Sequence, residues 1–459
     1  MVCITFDSKK WLRMERTDNK LIELYDEHLS TIMQRFDTAL EQCGFDAVVI
    51  GAGADIYRFL DDQPYPFIPN PHFVQWLPVA ANPESCIIYQ PGQPPKLIIY
   101  QPDDYWHKPP PLPEATWIKR FELLVIGDAD ELSPQLSGLP ARTAFIGEIK
   151  QWRHGPAADR QNPKALLDYL HYQRPYKTAF EIECIRLATM RAIPAHRAAE
   201  QSFRNGASEY DILLAFLRAC RQTESELPYP AIIATNANGA TLHYQHYERE
   251  LAESHSLLID AACSAYGYAS DITRTHAFDT QNEFASMVSA MHATQQQICA
   301  KVQPNVPFAE LHVFAHLAIA GLLKDWGLVA RDPDELVETG VSAVFFPHGL
   351  GHFLGIQVHE VGGFFADPSG AEIPRPAKFP HLRLVRTLEP GQVLTIEPGI
   401  YFIDSLLDEL KSKPVAKDVN WKLIDGLKKF GGIRIEDNVV VTPTGAENIT
   451  RQAFAAGAS

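Results

Sequence analysis

At 459 residues the chain exceeds what one hydrophobic core usually supports, so two domains are expected. With 46% hydrophobic and 21% charged residues the composition is that of an ordinary globular protein, and a formal net charge of −15 argues against nucleic acid as a partner. Seven scattered cysteines, never in CxxC spacing, fit a reducing cytosol better than a disulfide framework.

The chain opens on MVCITFDSKKWLRMERTDNK, which lacks a cationic start followed by an apolar run. No stretch of about 18 uninterrupted apolar residues follows, so neither a signal peptide nor a membrane span is predicted and a cytoplasmic protein is expected. YDEHLSTIMQRFDTALEQCG has helical spacing and should stop at Gly44, ahead of the apolar strand DAVVIGAG. CIIYQPGQPPKLIIY reads as two strands around a Pro/Gly turn, and FELLVIGDA and TAFIGEI as further buried strands. Residues 1–172 are therefore expected to form an α/β domain, with a Pro-rich surface stretch, HKPPPLPEA, inside it.

A second domain, 173–459, should start with a helix whose capping box is Thr178 and Glu181. Phe180, Cys184, Leu187 and Met190 are expected to line its buried face, and Pro194 to kink or interrupt it. Two more helices are predicted, one burying Met287, Met291, Thr294 and Ile298, the other Leu311, Phe314, Ala318 and Leu322. The segment from Asp404 to Lys429 reads as a polar surface excursion with a short helix. The fold class is thus mixed α/β (α+β).

Between and after these helices lie four strand-like segments that end on Asp260, Asp271, His352, Glu397 and Glu436. Asp260 and Asp271 flank a turn near Ala265 and Tyr266 that would set them directly opposite each other, where like charges destabilise a sheet. Their neighbours, LLID and ASDIT, are too apolar for an unpaired carboxylate. His348 and His352 have the i, i+4 spacing of a helical pair, but PHGLGHFLG is too rich in Gly and Pro for a helix, so a strand or loop presenting His348, His352 and His359 to a cleft is expected. Glu397 precedes Pro-Gly and could close a turn; Glu436 is followed by Asp437, which could be a solvated strand edge. Taken together, four carboxylates and an imidazole require cations between them. Their hard oxygens and single nitrogen suit two divalent ions such as Mn²⁺, Co²⁺ or Zn²⁺. Two such ions about 3.5–4 Å apart would yield a hydroxide nucleophile at neutral pH.

These motifs, together with FLDDQPYPF, DDYWHK, LHY, PHGLGHFLGIQVHEVGG, LTIEPGIYFI and FGGIRIEDNVVV, resemble the bacterial Xaa-Pro dipeptidases (prolidases), metallopeptidases of the pita-bread fold. The resemblance covers nearly the whole chain beyond an N-terminal extension of roughly residues 1–20. It implies a cytoplasmic homodimer with an N-terminal α/β domain, a C-terminal pita-bread catalytic domain and two divalent ions per subunit, Mn²⁺ foremost. It implies that Asp271 and Glu436 bridge the ions and that Asp260, His352 and Glu397 bind them, with Glu397 also moving the proton of the attacking water. His243 and His359 would stabilise the oxyanion, His348 would support the site, Arg383 would grip the free carboxylate of a dipeptide, and Tyr229 would line its pocket. Arg434 would support the ligands, and Asp62 and Trp106 would reach the site of a partner subunit. The implied activity is hydrolysis of Xaa-Pro dipeptides, with organophosphorus triesters as a side substrate. Aminopeptidase P and a ligand-less binding module share the fold and stand as the rival readings.

Overall fold

The computed structural model describes residues 19–79, 82–106, 108, 111–148, 160–250 and 253–457, so most of the N-terminal extension and Cys3 lie outside the described residues. It divides into two compact units, one of residues 1–170 with 178–183 and one of residues 171–177 with 184–459.

In the first unit a long helix, Asn19–Cys43, ends in a Schellman motif: Gly44 takes φ +74°, its N–H donates to Glu41 and that of Phe45 to Leu40. Five strands follow: β1 (Ala47–Gly51), β2 (Cys86–Tyr89), β3 (Lys96–Tyr100), β4 (Glu122–Ile126) and β5 (Thr143–Ile146), in the order β4-β3-β2-β1-β5. The Pro/Gly turn between β2 and β3 makes them antiparallel, while β1 pairs β5 and β3 pairs β4 in parallel. FELLVIGDA is an edge strand rather than a buried one: Leu123 and Val125 are 37% and 41% exposed, because only β3 flanks it. Tyr25 of the long helix reaches Trp76 O at 2.8 Å, and Phe36 meets the Trp76 ring edge-on.

The capping box at Thr178 and Glu181 is formed, with Thr178 N–H donating to the Glu181 carboxylate at 2.8 Å. The helix it opens, Ala179–Arg204, runs unbroken through Pro194, so of the expected kink or interruption the interruption does not occur. The carbonyl that Pro194 leaves without its helical donor belongs to Met190, a residue that is 39% exposed. Of the predicted face Phe180 and Cys184 are buried, Leu187 is half-buried and Met190 is exposed; the buried stripe continues through Ile185, Ala188, Ala192, Ala195 and Ala199. The helix Glu283–Cys299 buries Met287, Met291, Thr294 and Ile298 as expected, whereas Phe308–Asp325 is rotated, burying Leu311, His312, Ala315, His316 and Ile319 and leaving Phe314, Ala318 and Leu322 at half depth. Asp404–Lys429 holds two helices, Asp404–Lys411 and Trp421–Leu427, whose Leu407, Leu410, Ile424 and Leu427 enter the core; the sparse apolar positions repeat at helical spacing within a polar stretch.

The strands of the second unit are β6 (Ile232–Thr235), β7 (Ser256–Asp260), β8 (Ser264–Ala265), β9 (Tyr268–Ala269), β10 (Thr273–Ala277), β11 (Val393–Ile396), β12 (Gly399–Tyr401), β13 (Gly432–Arg434), β14 (Asp437–Thr442) and β15 (Gly445–Asn448). They form sheets β10-β7-β6 and β11-β14-β15 and the two-stranded pairs β12-β13 and β8-β9. Asp260 pairs with Thr273, not with Asp271. The turn is centred on Tyr266 (φ +52°) and Gly267 (φ +76°), since two left-handed residues are what a tight hairpin needs and Gly takes that region freely. The register is therefore two residues away from the one expected.

Candidate metal centre

Each acidic candidate sits where a strand begins, ends or breaks. Asp260 closes β7, Asp271 lies two residues ahead of β10, Glu397 directly follows β11, and Glu436 occupies the break between β13 and β14. His352 belongs to no strand, yet its segment is held extended along β11: Thr395 N–H donates to His352 O at 2.9 Å, Leu354 N–H to Val393 O at 3.0 Å and Glu397 N–H to Leu350 O at 2.8 Å. Gly351 permits this, because a Cβ there would stand 2.0 Å from Thr395 O. Glycine-rich chain thus replaces a strand with a close-fitting loop.

Asp271, His352 and Glu436 offer ligand atoms that all lie within 4.8 Å of one another, and all three are buried. His352 Nε2 stands 3.4 Å from Asp271 Oδ2 and 3.7 Å from Glu397 Oε1. The Tyr229 hydroxyl lies 2.6 Å from both Asp260 Oδ1 and Asp271 Oδ1, so despite the shifted register the two aspartates meet at one point. Its single proton can serve only one of them at a time.

Burial first, and then the neighbouring carboxylates, push the acids of Asp271, Glu397 and Glu436 well above the ordinary carboxylate range. Arg434 sets one positive charge against this group, its guanidinium donating to Asp260 Oδ2 at 2.7 Å and to the Tyr401 hydroxyl at 2.9 Å. The imidazoles go the other way: burial lowers His352 to about 4 and His348 and His359 to about 3, leaving them neutral at neutral pH. His352 Nδ1 is 3.0 Å from Phe353 O, and since a carbonyl only accepts, the proton is on Nδ1 and the Nε2 lone pair faces the acids. By the same logic His348 donates from Nδ1 to Gly349 O and accepts at Nε2 from Tyr401. Buried acids short of positive charge, beside a neutral nitrogen with a free lone pair, form a donor set that fits divalent cations.

All eleven candidates of the second unit line a single cleft of about 1040 Å³: Asp260, Asp271, His352, Glu397, Glu436, His243, His348, His359, Arg383, Tyr229 and Arg434. Of these eleven, His243, His359 and Arg383 are exposed. Asp62 and Trp106 belong to the first unit and lie on its surface; Trp106 is 75% exposed, which rules out a place in the core, and it is Asp61, not Asp62, that accepts the turn N–H of Gln63.

The profile of metallopeptidase family M24 matches residues 183–443, and that of the Xaa-Pro dipeptidase N-terminal domain matches residues 23–172. An Xaa-Pro dipeptidase of Xanthomonas oryzae pv. oryzae is 46% identical over 441 residues, covering 96% of this chain and 100% of its own. One from Stenotrophomonas maltophilia is 45% identical over 434 residues, covering 94% and 98%. The chain belongs to metallopeptidase family M24. Among solved structures, this M24 enzyme shares its fold with proline aminopeptidase P II of Yersinia pestis (TM-score 0.70, 24% identity, 94% and 96% covered) and aminopeptidase P of E. coli (0.68, 23%, 93% and 98%). The mixed α/β class and the pita-bread catalytic domain agree with that likeness.

Several members of this M24 site escaped the sequence reading. Tyr401 joins His348 to Arg434, and Thr273 donates to Glu436 Oε2 at 2.7 Å; both stand in motifs already singled out, four residues after Glu397 and two after Asp271. Asp437 is no solvated edge: it is fully buried and accepts from Arg274 at 2.6 Å and Arg451 at 2.7 Å. Glu360, beside His359, is held by Arg174 at 2.7 Å and Lys177 at 3.1 Å. Neither arrangement has a local signal, because the basic partners of Asp437 and Glu360 come from other motifs.

Proposed function

We propose that the chain hydrolyses Xaa-Pro dipeptides at a centre of two divalent ions, Mn²⁺ foremost, with Co²⁺ or Zn²⁺ as alternatives. The observation that carries the two-ion reading is the charge imbalance where the four carboxylates converge: Arg434 donates to Asp260 there, whereas, among the described residues, Arg375 and Arg383 line the same cleft without a hydrogen bond to any of the four acids. The substrate reading is carried by relatives at 45–46% identity over nearly their full length that are named Xaa-Pro dipeptidase. Asp260, Asp271, His352, Glu397 and Glu436 would hold the ions, which when bound supply an acidified water and polarise the scissile carbonyl.

The side chains around them have separable tasks. Glu397 takes the proton of the attacking water and delivers it to the departing proline nitrogen as the C–N bond breaks. His348, held by Gly349 O and the Tyr401 hydroxyl, stands 3.6 Å from Glu397 and packs beside that carboxylate as a neutral support. His243 and His359, exposed in the cleft, bear on the oxyanion of the tetrahedral stage. Arg383 grips the proline carboxylate and thereby measures substrate length. Tyr229 orients Asp260 and Asp271 and lines the pocket, while Arg434 holds Asp260. Organophosphorus triesters, with a tetrahedral centre, are the proposed side substrates.

A homodimer in the cytoplasm is the proposed state, with the domain of residues 1–172 serving substrate access and dimerisation. The first unit's exposed Phe59 (90%), Leu60 (91%), Tyr105 (88%) and Trp106 support a surface that a partner subunit covers, bringing Asp62 and Trp106 to the partner's cleft. Among the described residues no helix is long and apolar enough to cross a membrane.

The test combines metal analysis with a substrate panel. The Mn²⁺-loaded protein should hold two ions per chain, cleave Gly-Pro and Ala-Pro, leave Gly-Pro-Ala intact, and lose all activity to a chelator. Release of glycine from Gly-Pro-Ala at the dipeptide rate would favour the aminopeptidase P reading, and fewer than two ions with no Xaa-Pro cleavage would overturn the proposal.

A further inference from the structure

Glu209, the first residue of the helix Glu209–Cys220, is 1% exposed and is surrounded by hydrogen-bond donors. Its Oε1 accepts from Thr235 N–H at 2.7 Å, the Thr235 hydroxyl at 2.8 Å and Asn238 Nδ2 at 2.9 Å. Its Oε2 accepts from the Tyr244 hydroxyl at 2.8 Å and Glu248 N–H at 2.9 Å. The two oxygens divide the chain between them: one holds the end of β6 and the short helical turn Asn236–Ala240, the other holds residues 244 and 248. His243 lies between the two anchored stretches.

The segment around His243 is irregular. Leu242 is half-buried, His243 and Gln245 are exposed, and Tyr244 between them is only 7% exposed. An exposed loop of this kind would otherwise sample many conformations, and ordering each residue costs on the order of 1–2 kcal/mol. Tyr244 turns inward to Glu209 and is reinforced by Asn238 Nδ2 at 3.0 Å, so its neighbour His243 is directed outward into the cleft. Downstream the Tyr247 hydroxyl donates to Ala231 O at 2.7 Å, and Tyr210 N–H, one residue after Glu209, donates to Glu248 O at 3.1 Å.

We infer that Glu209 is a positioning residue for the hydrolysis: its buried carboxylate sets the His243 imidazole at the reacting carbonyl by tying down the chain on both sides of it. The inference rests on the proposed role of His243 at the oxyanion. A carboxylate is required because both oxygens accept, one facing three donors and the other two, one of them a backbone N–H. Glutamine keeps the shape but points an N–H at a donor. A displacement of about 1 Å in a group that acts only on the transition state can cost about 100-fold in rate.

The test is a double-mutant cycle on Ala-Pro with Mn²⁺ restored, comparing wild type, Glu209→Gln, His243→Ala and the double variant. Glu209→Gln should lower kcat by about 10- to 100-fold with KM changed less than about twofold, the mark of an interaction made in the transition state. In the His243→Ala background the same change should cost less than about twofold, because its effect passes through the missing imidazole. An equal loss in both backgrounds would mean a general structural role and overturn the inference, as would no loss in either. No loss in His243→Ala alone would remove the role given to His243, a failure distinct from one confined to Glu209. Should Glu209→Gln fold poorly, Tyr244→Phe, which deletes one donor on Oε2, takes its place in the cycle with the same criterion of non-additivity.

Discussion

Glu436 and Asp437 are neighbours in the chain, both buried, and their environments are opposite. Around Asp437 burial acts to raise the acid, but Arg274 and then Arg451 outweigh it, and with Asn448 they hold the group down to about 2. Around Glu436 burial raises the acid, Asp271 and Asp260 raise it further, and Arg434 and the Thr273 hydroxyl offset only part of this. Successive side chains of extended chain point to opposite faces, so one backbone serves both environments. On one face the fold supplies its own cations; on the other it leaves acids that call for a cation from outside. Arg274 links the two, since it donates to the carbonyls of Thr273 and Glu436 as well as to Asp437, and so fixes the backbone that presents Glu436. The balanced face is the support for the unbalanced one.

Breaking the balanced face should have the larger effect on stability. Asp437→Asn leaves Arg274 buried without its counter-charge, and removing one partner of a buried pair costs about 3–5 kcal/mol. Urea unfolding should register that loss with the chelator present or absent. Glu436→Gln should act in the other direction in metal-free protein at pH 8. It deletes one of several crowded like charges and keeps an acceptor for Thr273, a gain on the order of 2 kcal/mol for charges about 4 Å apart at intermediate dielectric. The same variant should lose dipeptide hydrolysis. If Gln at 436 destabilised the metal-free protein as much as Asn at 437, the two faces would not differ in kind.

The sequence reveals the unbalanced face more readily than the balanced one. Asp260, Asp271, Glu397 and Glu436 stand out because each interrupts or ends an apolar run, and an acid in such a setting demands an explanation. Cys184, Met287 and Ile298 likewise follow from helical spacing. The hairpin register was less legible: only the two left-handed residues Tyr266 and Gly267 fix the turn centre, and a small shift re-pairs Asp260 from Asp271 to Thr273. Asp437 and Glu209 left no trace because their partners lie elsewhere in the chain, Arg274 being 163 positions from Asp437 and Tyr244 being 35 from Glu209. That Pro194 does not interrupt its helix is illegible for a related reason, since the cost of a lost helical hydrogen bond depends on its surroundings in the fold, where Met190 is exposed.

Glu360 sharpens the comparison with a smaller effect. It too is fully buried, and burial alone would raise its acid, but Arg174 and Lys177 prevail and the net shift is downward. A carboxylate whose folded pKa lies below its unfolded value, about 4.3, contributes stability that is fully present above the unfolded value and is lost as pH falls through the folded one. The loss from one such group cannot exceed about 1.4 kcal/mol per pH unit. Acid titration followed by near-UV circular dichroism should therefore show wild type losing stability below about pH 4 more steeply than Glu360→Gln, which has no proton to take up there. The variant should start from lower stability at pH 7, because Arg174 and Lys177 then remain buried without their shared anion. Parallel acid limbs in the two proteins would mean that Glu360 binds its proton as readily folded as unfolded and would remove it from the Asp437 side of the comparison; a shallower limb in wild type would place it on the Glu436 side.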